Sequence, residues 1–159
     1  MRSQRLAPAA VAVAGAVAVV IGIHRGLVHV APGYEGSIVS GWGGPLGHEE
    51  RLLARVSVVG LVGTVATGRW RRLAVVPVAA GGIVLFYALR AVLAYARDPG
   101  LYTEVSTHAG EPVRFVLGAE PFLLVAGGVL LVAAGVLGWR AHANGTTDGD
   151  PSPTRSSAT

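Results

Sequence analysis

The chain has 159 residues, of which 52% are hydrophobic and 14% charged, with a net charge of +4. Soluble domains carry about 25% charged residues, and here the apolar residues fall in long blocks, so the composition points to a one-domain integral membrane protein. There is no cysteine, and every basic residue is an arginine. Disulfides, thiol catalysis, zinc–thiolate sites and the lysine chemistry of P-loops and Schiff bases are therefore excluded.

The chain opens with a short basic tail, residues 1–5, carrying Arg2 and Arg5. Leu6 to Ile23 is then uninterrupted and apolar. At 1.5 Å per residue this run spans roughly 27 Å, enough to cross a hydrocarbon core. A signal peptide has a shorter apolar core followed by a small-residue cleavage site. Here the run ends in Gly22-Ile23-His24-Arg25, so an uncleaved first helix is expected. Ala12, Ala14, Gly15, Ala16 and Ala18 give it small side chains, which predicts close packing inside the bundle.

Residues 24–48 form the first long loop, punctuated by Pro32-Gly33, Gly41, Gly43-Gly44-Pro45 and Gly47. No long helix fits there; Ser37–Val39 is a candidate short strand. Tyr34 and Trp42 suit the headgroup layer. The second helix is predicted over 48–68. Glu49 and Glu50 lie in its first turn, where negative charge complements the helix dipole. Arg51 and Arg55 share a face, and Ser57, Gly60, Thr64 and Gly68 form a small-residue stripe for helix contact.

Arg69-Trp70-Arg71-Arg72 is too short to link domains and too basic for hydrocarbon, so it reads as the turn of a transmembrane hairpin. The third helix is predicted over 73–96, with Pro77 near its start and Asp98-Pro99-Gly100 ending it. The second loop, 97–118, holds Glu104, His108, Glu111 and Arg114, with Pro112–Leu117 a candidate short interfacial helix. The fourth helix is predicted over 120–139, with Pro121 at its first position; the alternative is one longer helix from Glu111, kinked at Pro121. The tail, 141–159, lacks apolar content from Ala143 onward and reads as disordered. The expected fold is thus an all-α integral membrane protein, a four-transmembrane-helix bundle over residues 6–140 with two longer outer loops.

Four crossings put both termini on one side. Three arginines in a four-residue turn outweigh the scattered arginines of the longer loops under the positive-inside rule. The reading is therefore a multi-pass protein of the cell membrane with both ends cytoplasmic. Arg69, Trp70, Arg71, Arg72, Trp139 and Arg140 become inner-face anchors.

Arg55, Arg90 and Glu120 form a candidate polar cluster in the outer leaflet. Measured from the inner turn, Arg55 lies roughly 21 Å up the second helix and Arg90 roughly 27 Å up the third, with Glu120 at a similar level. A carboxylate facing two arginines would supply the partner that an ion at this depth needs. The same charges can equally snorkel to headgroups or tie helix ends together.

His24, His29, His48, His108 and His142 show no metal-ligand spacing, and none lies deep in an apolar run to hold a haem; no metal or cofactor is expected. Gly41-Trp42-Gly43-Gly44 follows no clear strand, so it reads as a bending loop and not a phosphate cradle. Ser57, Thr64 and Thr67 have no base nearby in sequence and read as helix contacts. The arginines form no basic face with interleaved aromatics, so nucleic acid is not an expected partner. The middle of all four runs lacks any ionisable residue, unlike driven carriers.

The expected function is non-catalytic: an accessory or scaffold subunit in the lipid bilayer, packing with another membrane protein or with itself as a homo-oligomer. The alternative is a component of a small-solute or ion transport system with an outward-facing polar vestibule lined by Arg55, Arg90 and Glu120. An enzyme of the outer headgroup layer, using Glu120, Glu111 or His108 as acid–base groups, is the remaining reading.

Overall fold

A computed structural model describes residues 2–25, 28–30, 47–97 and 115–144. Helix α1 covers Arg2–Ile23, strand β1 Val28–Val30, helix α2 His48–Thr67, helix α3 Val75–Arg97, strand β2 Phe115–Leu117 and helix α4 Glu120–Asn144. A 3-10 turn over Arg71–Ala74 leads into α3.

The helices form a ring in chain order. Each neighbour runs antiparallel to the last, and α4 closes the ring against α1. The most extensive contacts are those of α4 with α1 and with α3, and α2 also reaches α4 across the diagonal. The helix starts and stops follow from the residues. Gly47 is extended at the head of α2, and its N–H donates to the Glu50 carboxylate at 2.6 Å, one half of a capping box. Gly47 has no side chain to return the bond. Pro121 sits in the first turn of α4, where a missing N–H leaves no helical bond unmade. The break at Gly118 is present, and no helix runs through from Glu111 into α4.

Small residues set the helix spacing. A methyl group placed on Gly127 would lie 2.8 Å from the Gly15 carbonyl oxygen and 2.6 Å from Val19 Cγ2. Its neighbour Gly128 faces the other way, toward α3, where the same methyl would meet Leu85 at 2.7 Å and the Gly81 carbonyl oxygen at 3.0 Å. Two adjacent glycines thus let α4 touch α1 and α3 at backbone distance. Gly60 and Gly63 do the same for α2, against Ala80 and Val76. In lipid, association rests on this packing and not on a hydrophobic driving force.

The core has two buried clusters. Val19, Ile23, Leu53, Val84, Ala88 and Leu124 fill the end nearest β1 and β2, which pair there as a two-stranded ribbon; Ala12, Leu131 and Ala134 fill the middle. Leu131 is fully buried and lies against both Gly15 and Gly60. The outside is apolar as well: Val58, Val59, Val62 and Val65 on α2, Phe86 and Leu89 on α3, and Phe122 and Val129 on α4 are all exposed.

Among the described residues, three helices are long and apolar enough to cross a membrane: those within Leu6–Ile23, Arg71–Arg97 and Glu120–Ala141. Helix α2 falls short because Glu49, Glu50, Arg51 and Arg55 occupy its first two turns. Its 20 residues rise about 30 Å in all, the thickness of a hydrocarbon core, but only about 18 Å of that lies past Arg55. A crossing by α2 would therefore hold its charged first turns near one membrane face, where such side chains can snorkel to headgroups.

Several expectations are corrected. The helix predicted over Pro112–Leu117 does not form at its end: Phe115–Leu117 is a strand, paired antiparallel with Val28–Val30 in the register Val28 to Leu117, His29 to Val116 and Val30 to Phe115. The two tripeptides follow α1 and precede α4. Because those helices pack side by side, their adjoining segments are brought within hydrogen-bonding distance. Helix α4 runs on to Asn144, past its predicted end at Trp139. Helix α1 begins at Arg2; its Ala12, Gly15 and Ala16 are buried as expected, while Ala10, Val13, Ala14 and Val17 are exposed on its other side. The candidate strand Ser37–Val39 and the tail beyond Asn144 lie outside the described residues.

Candidate functional site

The polar residues gather at the two ends of the bundle. At the end bearing the ribbon, the first turn of α2, the last turns of α3 and the start of α4 come together. Arg90 donates from Nη1 to Glu49 Oε1 at 3.5 Å, an ion pair between α3 and α2 with both side chains more than half exposed. Glu120 is half-buried and within electrostatic reach of Glu50. Arg55 is exposed, and among the described residues it has no ion pair.

Within the predicted trio, then, Arg90 engages Glu49, and Glu120 has Glu50 as its charged neighbour. By sequence alone, Glu49 and Glu50 read only as dipole-complementing residues of a helix start. Their second role depends on α3 and α4 arriving beside them, and helical spacing within α2 carries no sign of that. His24, just past α1, donates from Nδ1 to the Val20 carbonyl at 2.7 Å. Glu111 and His108 lie outside the described residues.

At the opposite end, Gly68, Arg69 and Trp70 close the α2–α3 connection, held by Arg69 N–H and Trp70 N–H bonds to the Ala66 carbonyl at 3.0 and 3.1 Å. The Arg71 guanidinium carbon lies 5.2 Å from the centroid of the Trp139 ring, within cation–π range. Arg69, Trp70, Arg71, Arg72, Trp139 and Arg140 therefore share one end, and all are exposed. Beside them lies a groove of about 300 Å³ between α3 and α4, with Arg71, Arg72 and Trp139 among its walls.

Between these ends, among the described residues, the interior holds three polar side chains, Ser57, Thr64 and Thr67. Each hydroxyl donates within its own helix, to the carbonyls of Ala54, Gly60 and Gly63 at 2.8, 2.9 and 2.8 Å. Such back-bonding satisfies the group without a partner helix. The hydroxyls therefore make no interhelical hydrogen bond of their own; the contact they offer is steric, as where Thr67 packs against Gly138. Among the described residues there is no group of three or more His, Asp or Glu side chains placed to hold a metal ion.

No protein-family model, curated protein or solved structure matches this chain.

Proposed function

We propose that the protein is a non-catalytic accessory or scaffold subunit of a cell membrane, crossing it four times with both termini cytoplasmic and packing its helices against another membrane protein or a second copy of itself. The supporting observation is the closed interior. Leu131, Val84, Val19 and the glycine contacts fill the space between the helices, and the buried hydroxyls are spent inside their own helices. A chain built in this way offers its outer surface as its working surface. On α1, Ala7, Ala10 and Ala14 are exposed at helical spacing, the same kind of small-residue face that mates with α4 on the buried side.

Site-specific photo-crosslinking in intact membranes tests this reading. A crosslinker at Ala10 or Ala14 is expected to give one discrete protein adduct, whose mass separates a second copy from a different protein. The same crosslinker at Val62 on α2 is expected to give lipid adducts only. Lipid adducts alone at all three positions would sink the proposal.

One observation favours the transport reading as the alternative: the half-buried Glu120 lies within electrostatic reach of Glu50, at the end of the bundle that holds the Arg90–Glu49 pair. Carboxylates grouped at the outer mouth of a bundle could draw cations into a vestibule. Solute flux into proteoliposomes that falls on Glu120→Gln would support it. Flux equal to that of empty liposomes would remove it.

A further inference from the structure

The seam between α3 and α4 has a polar mouth and an apolar track. At the mouth, Arg71 and Arg72 flank the groove of about 300 Å³ whose apolar walls are Val75, Val78 and Val136. Trp139 stands beside Arg71, its ring 5.2 Å from the guanidinium. Among the described residues neither arginine forms an ion pair with a carboxylate. The groove does not end there. Val136 is shared with a second hollow of about 400 Å³, lined by Leu85, Val129, Val132 and Leu137 and wholly apolar. From Trp139 back to Val129 along α4 the track rises about 15 Å.

We infer that this seam binds one anionic phospholipid, its phosphate held by Arg71 and Arg72 and one acyl chain lying along the Val75–Val136–Val129 track. Each part of the site matches one part of that ligand. Guanidinium groups pair phosphate through planar, charge-assisted hydrogen bonds. Indole rings settle at headgroup depth. Basic pockets between helices are the usual seat of anionic headgroups. Gly135 supplies the floor; a methyl there would lie 2.7 Å from Val78 and 2.9 Å from the Ala74 carbonyl oxygen. A free phosphate would use the mouth and leave the track empty, whereas a soluble protein partner would have no use for a lipid-facing apolar seam. The inference rests on the membrane placement and not on the accessory role, because it needs only the purified chain.

The test is native mass spectrometry of the full chain in neutral detergent, with phosphatidylglycerol and phosphatidylcholine of matched chains supplied together. Retention of phosphatidylglycerol is expected to exceed that of phosphatidylcholine on the order of thirtyfold, the factor for about 2 kcal/mol at about 1 kcal/mol per arginine. Arg71→Gln with Arg72→Gln is expected to abolish the preference, and Arg69→Gln to leave it in place. Val136→Trp blocks the track without touching charge and is expected to weaken retention of both lipids. If the double variant fails to fold, Val136→Trp still decides the matter. Equal retention of the two lipids, an equal loss on Arg69→Gln, unaltered retention with Val136→Trp, or displacement of the lipid by inorganic phosphate would each overturn the inference.

Discussion

Gly81 of α3 and Gly128 of α4 meet backbone to backbone: a methyl group on Gly81 would lie 2.5 Å from the Gly128 carbonyl oxygen. That oxygen belongs to a helical peptide and cannot swing aside, so any side chain at this point forces the helices apart. The contact is repeated one residue earlier on the other side of α4, where Gly127 meets Gly15. Through this adjacent pair α4 approaches both of its neighbours at backbone distance.

Glycine-to-alanine changes at these positions are therefore expected to destabilise the folded bundle, against the general helix preference for alanine. Gly81→Ala and Gly127→Ala are each expected to cost about 1–3 kcal/mol, the range for overpacking. Gly82 has nothing within 4 Å of its would-be methyl, so Gly82→Ala is expected to be neutral or to stabilise by up to about 1 kcal/mol. Unfolding in mixed micelles checks all three. Equal effects at Gly81 and Gly82 would show that close approach is not what sets the spacing.

Among the described residues Leu131 is the largest fully buried side chain, and it lies between Gly15 and Gly60. Leu131→Ala is expected to cost about 2–5 kcal/mol through the cavity left behind. Thr64→Val, by contrast, removes a hydroxyl that bonds only its own helix, and is expected to change stability by less than about 1 kcal/mol. A large loss on Thr64→Val would mean that the hydroxyl has an interhelical task.

The Arg90–Glu49 pair joins α3 to α2 at 3.5 Å with both side chains more than half exposed. Solvent screening keeps such pairs weak. A double-mutant cycle with Arg90→Gln and Glu49→Gln is expected to return a coupling below about 1 kcal/mol that shrinks with added salt. A larger, salt-insensitive coupling would place the pair in a drier setting than its exposure indicates.

The chain's lack of cysteine makes single-cysteine labelling clean. With four crossings and both ends cytoplasmic, Trp70→Cys and Ala143→Cys are expected to resist a membrane-impermeant thiol reagent in intact cells and to react after permeabilisation. His48→Cys, exposed at the other end, is expected to react without permeabilisation. Charge reversal at the turn, Arg69→Glu with Arg71→Glu and Arg72→Glu, is expected to raise the fraction of inverted molecules. If Trp70 and Ala143 label from opposite sides, α2 does not cross.

Much of this was legible in one dimension. The blocks of apolar residues located the helices, because a backbone in hydrocarbon must satisfy its own hydrogen bonds and a helix does so within one segment. Gly47, Pro121 and the Gly68–Trp70 connection marked starts and stops by local geometry alone, and Arg71 and Trp139 lie at one end because α4 runs antiparallel to α3. What the order of residues could not reveal was pairing between distant segments. The Val28–Val30 and Phe115–Leu117 ribbon exists because α1 and α4 lie side by side, and neither tripeptide has enough local pattern to announce a strand. Glu49 could be assigned to a helix start from its own neighbours, yet its partner Arg90 is 41 positions away. Whether Gly127 faces α1 and Gly128 faces α3 is settled only by the ring arrangement, since periodicity tells which residues share a face and never which helix that face will meet.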